Sequence, residues 1–111
     1  MDVKLMGQIR RLIEDLAAGR YAEIAADGRA GRLTEAELRT AVEQYGRTLT
    51  PLPADGEMLV DSYEQASQPD AVTLDIPLWT REEGRSDLTL SVTAIKQGEA
   101  YTVAVDDLHV L

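Results

Sequence analysis

Asp106, Asp107 and His109 are the residues whose types first suggest chemistry. Two carboxylates and an imidazole can hold a divalent cation or pass a proton. Their spacing argues against both. The chain has one His and no Cys, and it lacks any Glu-x-x-His or Asp-x-Asp-x-Asp ligand pattern, so neither a metal nor a cofactor is expected. Asp75 is the next candidate, as a general base. That role needs a buried carboxylate and an oxyanion donor in the same pocket. Strand alternation instead puts Asp75 on the face opposite Leu74 and Ile76. Gly28 and Gly31, flanked by Arg29 and Arg32, imitate a phosphate loop, but the spacing fits none and reads as a turn leading into Thr34. Nucleophile-elbow and dinucleotide fingerprints are also missing. No catalytic residue is expected, and the chain reads as non-enzymatic.

Residues suited to binding stand out more. Trp79 falls on the polar phase of its strand beside a charged loop, with Arg81 and Arg85 nearby. Trp and Arg are enriched among residues that dominate interface energy. Two readings are open: Trp79 anchors a partner, or it covers the end of the core while Arg85 pairs with Glu83 or Asp87. The face formed by Thr73, Asp75, Thr89, Ser91 and Thr93 is either a flat polar interface or plain solvated sheet.

The charge balance favours one kind of partner. Residues 1–54 carry eight acidic and eight basic side chains, whereas residues 55–111 carry twelve acidic ones against Arg81, Arg85 and Lys96. The second half therefore supplies the whole net charge of −9. Such a surface repels nucleic acid and anionic membranes and attracts basic proteins. Absence of Cys excludes disulfides and thiol catalysis and fits a reducing compartment. Met1 to Ala18 mixes charges among its apolar residues, unlike a signal peptide, so a cytoplasmic location is expected.

The elements that must position these residues can be read along the chain. Leu5, Ile9, Leu12, Ile13 and Leu16 recur at helical spacing, predicting a helix over Val3 to Ala18 that stops at Gly19. Tyr21 to Ala26 adds one or two turns. Thr34 and Glu37 form a capping box for a helix that buries Leu38, Ala41, Val42 and Tyr45 and ends at Gly46. Pro51 and Pro53 separate this helical part from a sheet part. A weak strand is expected over Met58 to Gln65 and clear alternating strands around Val72 to Leu78 and Leu88 to Ala94. Pro77 suggests an edge position or a bulge. Gln97-Gly98-Glu99 makes a hairpin turn. In the last strand Tyr101, Val103 and Val105 are odd-numbered but Leu108 and Val110 are even, so a bulge at Asp106-Asp107 is expected. The 111 residues suit a single α+β domain, with residues 1–50 mainly helical and 57–111 mainly antiparallel sheet, and helices packed on one face of three or four strands.

Three segments carry a resemblance: 26–34 (ADGRAGRLT), 77–88 (PLWTREEGRSDL) and 106–111 (DDLHVL). They resemble a small bacterial family of unknown function common in actinobacteria, and the likeness runs along nearly the whole chain. More loosely, helices followed by a curved sheet are similar to cystatin-like and NTF2-like domains. That architecture hosts isomerases, carriers, adaptors and immunity proteins and does not decide function.

The reading that follows is a non-enzymatic, acidic interaction domain that binds a basic protein, in its sharpest form an immunity protein against a cationic toxin. Trp79, Arg81, Arg85, Asp75, Asp106 and Asp107 are its expected binding residues. One alternative is a ligand-binding or enzymatic cavity between helices and sheet lined by Tyr21, Tyr45, Tyr63 and Tyr101. The other is an accessory domain that homodimerises through its sheet.

Overall fold

The computed structural model describes residues 2–110. Three helices come first: α1 (Val3–Ala17), α2 (Tyr21–Ala26) and α3 (Glu35–Tyr45). Five strands follow: β1 (Leu49–Thr50), β2 (Asp61–Gln65), β3 (Gln68–Thr80), β4 (Gly84–Gln97) and β5 (Ala100–Val110). The architecture is α+β, with the helices against an open antiparallel sheet. Among the described residues no helix is long and apolar enough to cross a membrane.

Local chemistry sets the helix limits. Asp2 caps α1 by accepting the Lys4 N–H at 2.7 Å, and Gly19 follows the helix at φ +76°. The apolar stripe of α1 is buried from Leu5 to Leu16. Both capping-box bonds of α3 are made: Glu37 N–H donates to Thr34 Oγ1 at 3.1 Å and Thr34 N–H to Glu37 Oε1 at 3.0 Å. Of the expected α3 stripe, Leu38 is fully buried, while Ala41, Val42 and Tyr45 are only half-buried. This helix lies at the rim of the core.

The strands run in the order β1-β3-β4-β5, with β2 sharing the β1 flank of β3. β1 pairs with Trp79 and Thr80, and β2 pairs with the other end of β3 up to Asp75. Ile76, Pro77 and Leu78 fall in the gap between them. Pro77, which has no N–H to give, therefore loses no ladder bond on that flank. The register with β4 also breaks between Pro77 and Trp79, so the expected irregularity is present although β3 is not an edge strand. Leu74, Ile76, Leu78, Leu88, Leu90 and Val92 are all at most 2% exposed, forming a packed aliphatic core without Phe.

The expected strand over Met58 to Gln65 is corrected: Ala54–Leu59 is a 3-10 helix and only Asp61–Gln65 is a strand. Tertiary contacts outweigh the apolar pattern here. A Cβ on buried Gly56 would come within 2.7 Å of Leu52 Cδ1, so the chain is folded tightly on itself. Arg10 of α1 then pins the turn by donating to the carbonyls of Leu52 and Pro53 and to the Glu57 carboxylate. Met58 is left 85% exposed.

Residues 27–32 dock on β5. Val105 N–H donates to Arg29 C=O at 2.7 Å, satisfying an amide on the outer flank of the last strand. Gly31 has φ +61°, and a Cβ there would overlap Val105 C=O. The loop is held from behind by α1. Asp15 accepts from Arg29 at 2.7 Å and from Arg20 at 2.9 Å, and Arg29 also pairs with Asp27 at 2.7 Å. Burial pushes the Asp15 carboxyl up, but the bonds and charges of Arg29 and Arg20 outweigh it and hold the pKa below its ordinary value.

Candidate interaction surface

The sheet face turned away from the helices gathers most of the acidic residues singled out in the sequence. Antiparallel partners share a face, and the register lines up Asp61, Asp75, Ser91 and Asp107 across β2, β3, β4 and β5. Neighbouring strands are about 4.8 Å apart, so Asp75 and Asp107 stand roughly 10 Å from each other with Ser91 between. The next row holds Tyr63, Thr73, Thr93 and Ala104, and the row on the other side holds Pro77, Thr89 and His109.

The phase change in β5 is a bulge. Val105 pairs with Val92 and Asp107 with Ser91, leaving Asp106 as the extra residue. The bulge turns Leu108 back into the core and leaves both Asp106 and Asp107 exposed.

Hydroxyl groups orient these carboxylates. Ser91 Oγ donates to Asp75 Oδ1 at 2.6 Å, and Thr93 Oγ1 donates to Asp106 Oδ2 at 2.6 Å. Asp107 Oδ1 accepts the Leu108 N–H at 2.9 Å. His109 Nδ1 lies 3.1 Å from Asp107 Oδ2, yet the approach is not aligned as a hydrogen bond and the nitrogen has no other protein partner. Asp106 is turned to Thr93, so the three C-terminal groups do not converge. Among the described residues no three His, Cys, Asp or Glu side chains are arranged to hold a metal ion. No Lys or Arg among the described residues forms an ion pair with Asp61, Asp75, Asp106 or Asp107.

Trp79, Arg81 and Arg85 lie apart from this row, at the β3–β4 turn. Trp79 and Arg85 are paired across the strands, and Arg81 is in the turn, its N–H donating to Thr48 C=O at 2.9 Å. The indole is half-buried and packs on the core, and its Nε1 is buried without an acceptor. The buried part of the indole lies against the core, and the rest stays open to solvent. The anticipated pairing of Arg85 with Glu83 or Asp87 is not formed among the described residues. Glu83 accepts from Tyr45 Oη at 2.7 Å and pairs with Arg47 at 3.3 Å, and Glu82 accepts from both Thr48 N–H and its hydroxyl at 2.8 Å. The turn's carboxylates are spent on fastening it to the α3–β1 connection. Arg81 and Arg85 remain exposed.

The four tyrosines do not line one cavity. Tyr21 is in the core, Tyr63 is exposed on β2, and Tyr45 and Tyr101 border separate open grooves. The residue that sequence reasoning missed is Asp61. Its only signal was its place after Val60 in a segment whose strand limits the pattern does not define.

No curated protein and no solved structure matches this chain. Residues 13–111 match a family described as a domain of unknown function, DUF7668. That match covers most of the chain, including all of the sheet, and the chain belongs to this domain family of unknown function.

Proposed function

We propose that this protein is a non-enzymatic interaction domain whose outer sheet face binds a basic protein partner. The observation that carries the reading is the row Asp61, Asp75 and Asp107, with Asp106 beside it, on the outer sheet face, where no Lys or Arg among the described residues pairs with them. Like charges set side by side on a sheet cost stability. A partner supplying Lys or Arg at about 10 Å spacing removes that repulsion and gains charge-assisted bonds. Ser91 and Thr93 hold two of the carboxylates in place beforehand, which lowers the ordering cost on binding. The net charge of −9 would speed encounter with such a partner.

Within this reading the sharpest form is a bacterial, cytoplasmic immunity-type protein that neutralises a cationic toxin. Its small size and acidity suit that role, as does the helix-then-sheet order shared with cystatin-like and NTF2-like domains. The test is capture from native cytoplasm at low salt, with Asp75→Lys/Asp107→Lys as control. The expected result is one stoichiometric basic protein whose association rate falls with salt and drops about tenfold or more with the control. Capture that ignores salt and both substitutions, or no capture, overturns the proposal.

A further inference from the structure

We infer that the outer edge of β5 from Leu108 to Val110 accepts an extended basic segment of the partner as an added strand. This rests on the reading above that the partner is basic, and it names where and how that partner enters.

β5 is the last strand of the sheet, so its outer flank has no strand beside it. The two halves of that flank differ. At Val105 the amide is satisfied by the backbone of residue 29, and the docked loop blocks approach. Past the bulge, alternation directs the Leu108 and then the Val110 amide outward. The Leu108 N–H is met only by the carboxylate of its neighbour Asp107. That carboxylate is an exposed, displaceable cap.

Space beside this edge is already open. A groove of about 360 Å³ runs between α3 and β5, where Ala36, Thr40 and Ala41 present small side chains towards Leu108. It continues into a second groove of about 420 Å³ bordered by Tyr45, His109 and Val110. Val110, paired with Leu88 on its inner flank, is 58% exposed, an apolar side chain open to a neighbour on the outer one.

Charge selects the occupant. The charged residues lining the first groove are Glu37 and Asp107, both acidic, and among the described residues no Lys or Arg lines either groove. A second copy of this chain, paired edge to edge, would bring its own Asp106 and Asp107 against these. That arrangement guards against self-association. An extended segment alternating apolar and basic residues fits both features. Its backbone carbonyl takes the Leu108 N–H, its apolar side chains meet Val110 and the small residues of α3, and the displaced Asp107 carboxylate meets its ammonium or guanidinium group.

The experiment uses the full chain, isotope-labelled for NMR, with a ten-residue synthetic peptide alternating valine and lysine and a glutamate counterpart. The lysine peptide is expected to slow hydrogen exchange at the Leu108 and Val110 amides, and the glutamate peptide is not. Val110→Pro, which removes one edge donor at an exposed position, should weaken the lysine peptide about tenfold. Binding that shifts Asp75 and Ser91 signals without protecting the two amides, and that Val110→Pro does not weaken, overturns the edge proposal while leaving the face reading intact. No binding of the lysine peptide also overturns it, and the charge-reversed capture experiment then decides the wider reading separately. Protection of the two amides in the chain alone, with a doubled solution mass, would assign the edge to a second copy and overturn the basic occupant.

Discussion

Two groups of carboxylates in this molecule meet opposite fates. Asp15 pairs with Arg20 and Arg29, and Asp27 pairs with Arg29, which ties α1 to the start of α2 and to the following loop. Asp61, Asp75 and Asp107 line up on the outer face with Asp106 beside them; the Ser91 and Thr93 hydroxyls hold Asp75 and Asp106, the Leu108 amide meets Asp107, and no Lys or Arg bridges any of the four among the described residues. The first group serves folding, because its charges are neutralised at home. The second leaves its charge uncompensated, which is the condition for recognising something else. The same division runs through the sequence, where the first half is balanced and the second carries the net −9.

This comparison can be broken in order of expected effect. Gly31→Ala strikes the loop that the arginine network supports. It combines a left-handed backbone with an overlap on Val105 C=O and should cost about 3 kcal/mol in urea unfolding. A loss under about 1 kcal/mol would show that the loop is not truly seated on β5. Asp15→Ala leaves Arg20 without its closest partner and Arg29 with Asp27 alone, and should cost about 2 kcal/mol by the same measurement.

Acid sharpens the contrast. The folded pKa of Asp15 lies below its ordinary value, so its stabilisation is complete above that ordinary value and fades as pH falls through the folded one. Asp27 behaves likewise, chiefly because Arg29 hydrogen-bonds it. Unfolding measured from pH 6 down to 2 should show the wild type losing stability below about pH 4, and Asp15→Ala losing less. Parallel curves would remove Asp15 from the account. The smallest effect belongs to the outer row. Asp75→Asn with Asp107→Asn should change stability by no more than about 0.5 kcal/mol, or raise it at low salt by relieving repulsion. Destabilisation by about 2 kcal/mol or more would make these carboxylates structural and undercut their assignment to binding.

Much of this was legible from residues acting on near neighbours. The Thr34–Glu37 box, Gly19 and Gly46 as helix stops, and the alternation of β3 and β4 each depend on a few adjacent positions. The bulge was visible because Val105 and Leu108 cannot both face the core without an extra residue. That also located Asp106 and Asp107 on the outer face, and alternation did the same for Asp75. Features set by distant contacts were not legible. Arg10 and buried Gly56 hold Ala54–Leu59 as a 3-10 helix, which takes Met58 and Leu59 out of the expected strand over Met58 to Gln65. The hold of Tyr45 and Arg47 on Glu83 takes one of the two expected partners away from Arg85. Trp79 was ambiguous because polar phase alone cannot tell an exposed indole from one folded back over a strand end. Asp61 joined the row only through its register with Asp75.

The bond between Arg29 and Val105 also has a kinetic consequence. The β3–β4–β5 meander needs only short loops to close, whereas this contact joins distant parts of the chain and carries a larger closure entropy. We expect the meander to form first and the loop to seal β5 last, so pulse-labelled exchange should protect Val92 before Val105. Simultaneous protection would contradict that order. During the interval the whole flank of β5 is bare while the chain is only partly folded, when strand-to-strand aggregation is most dangerous. Asp106 and Asp107 already stand there, so the carboxylates assigned to a partner in the finished molecule would first act as chaperones of their own strand.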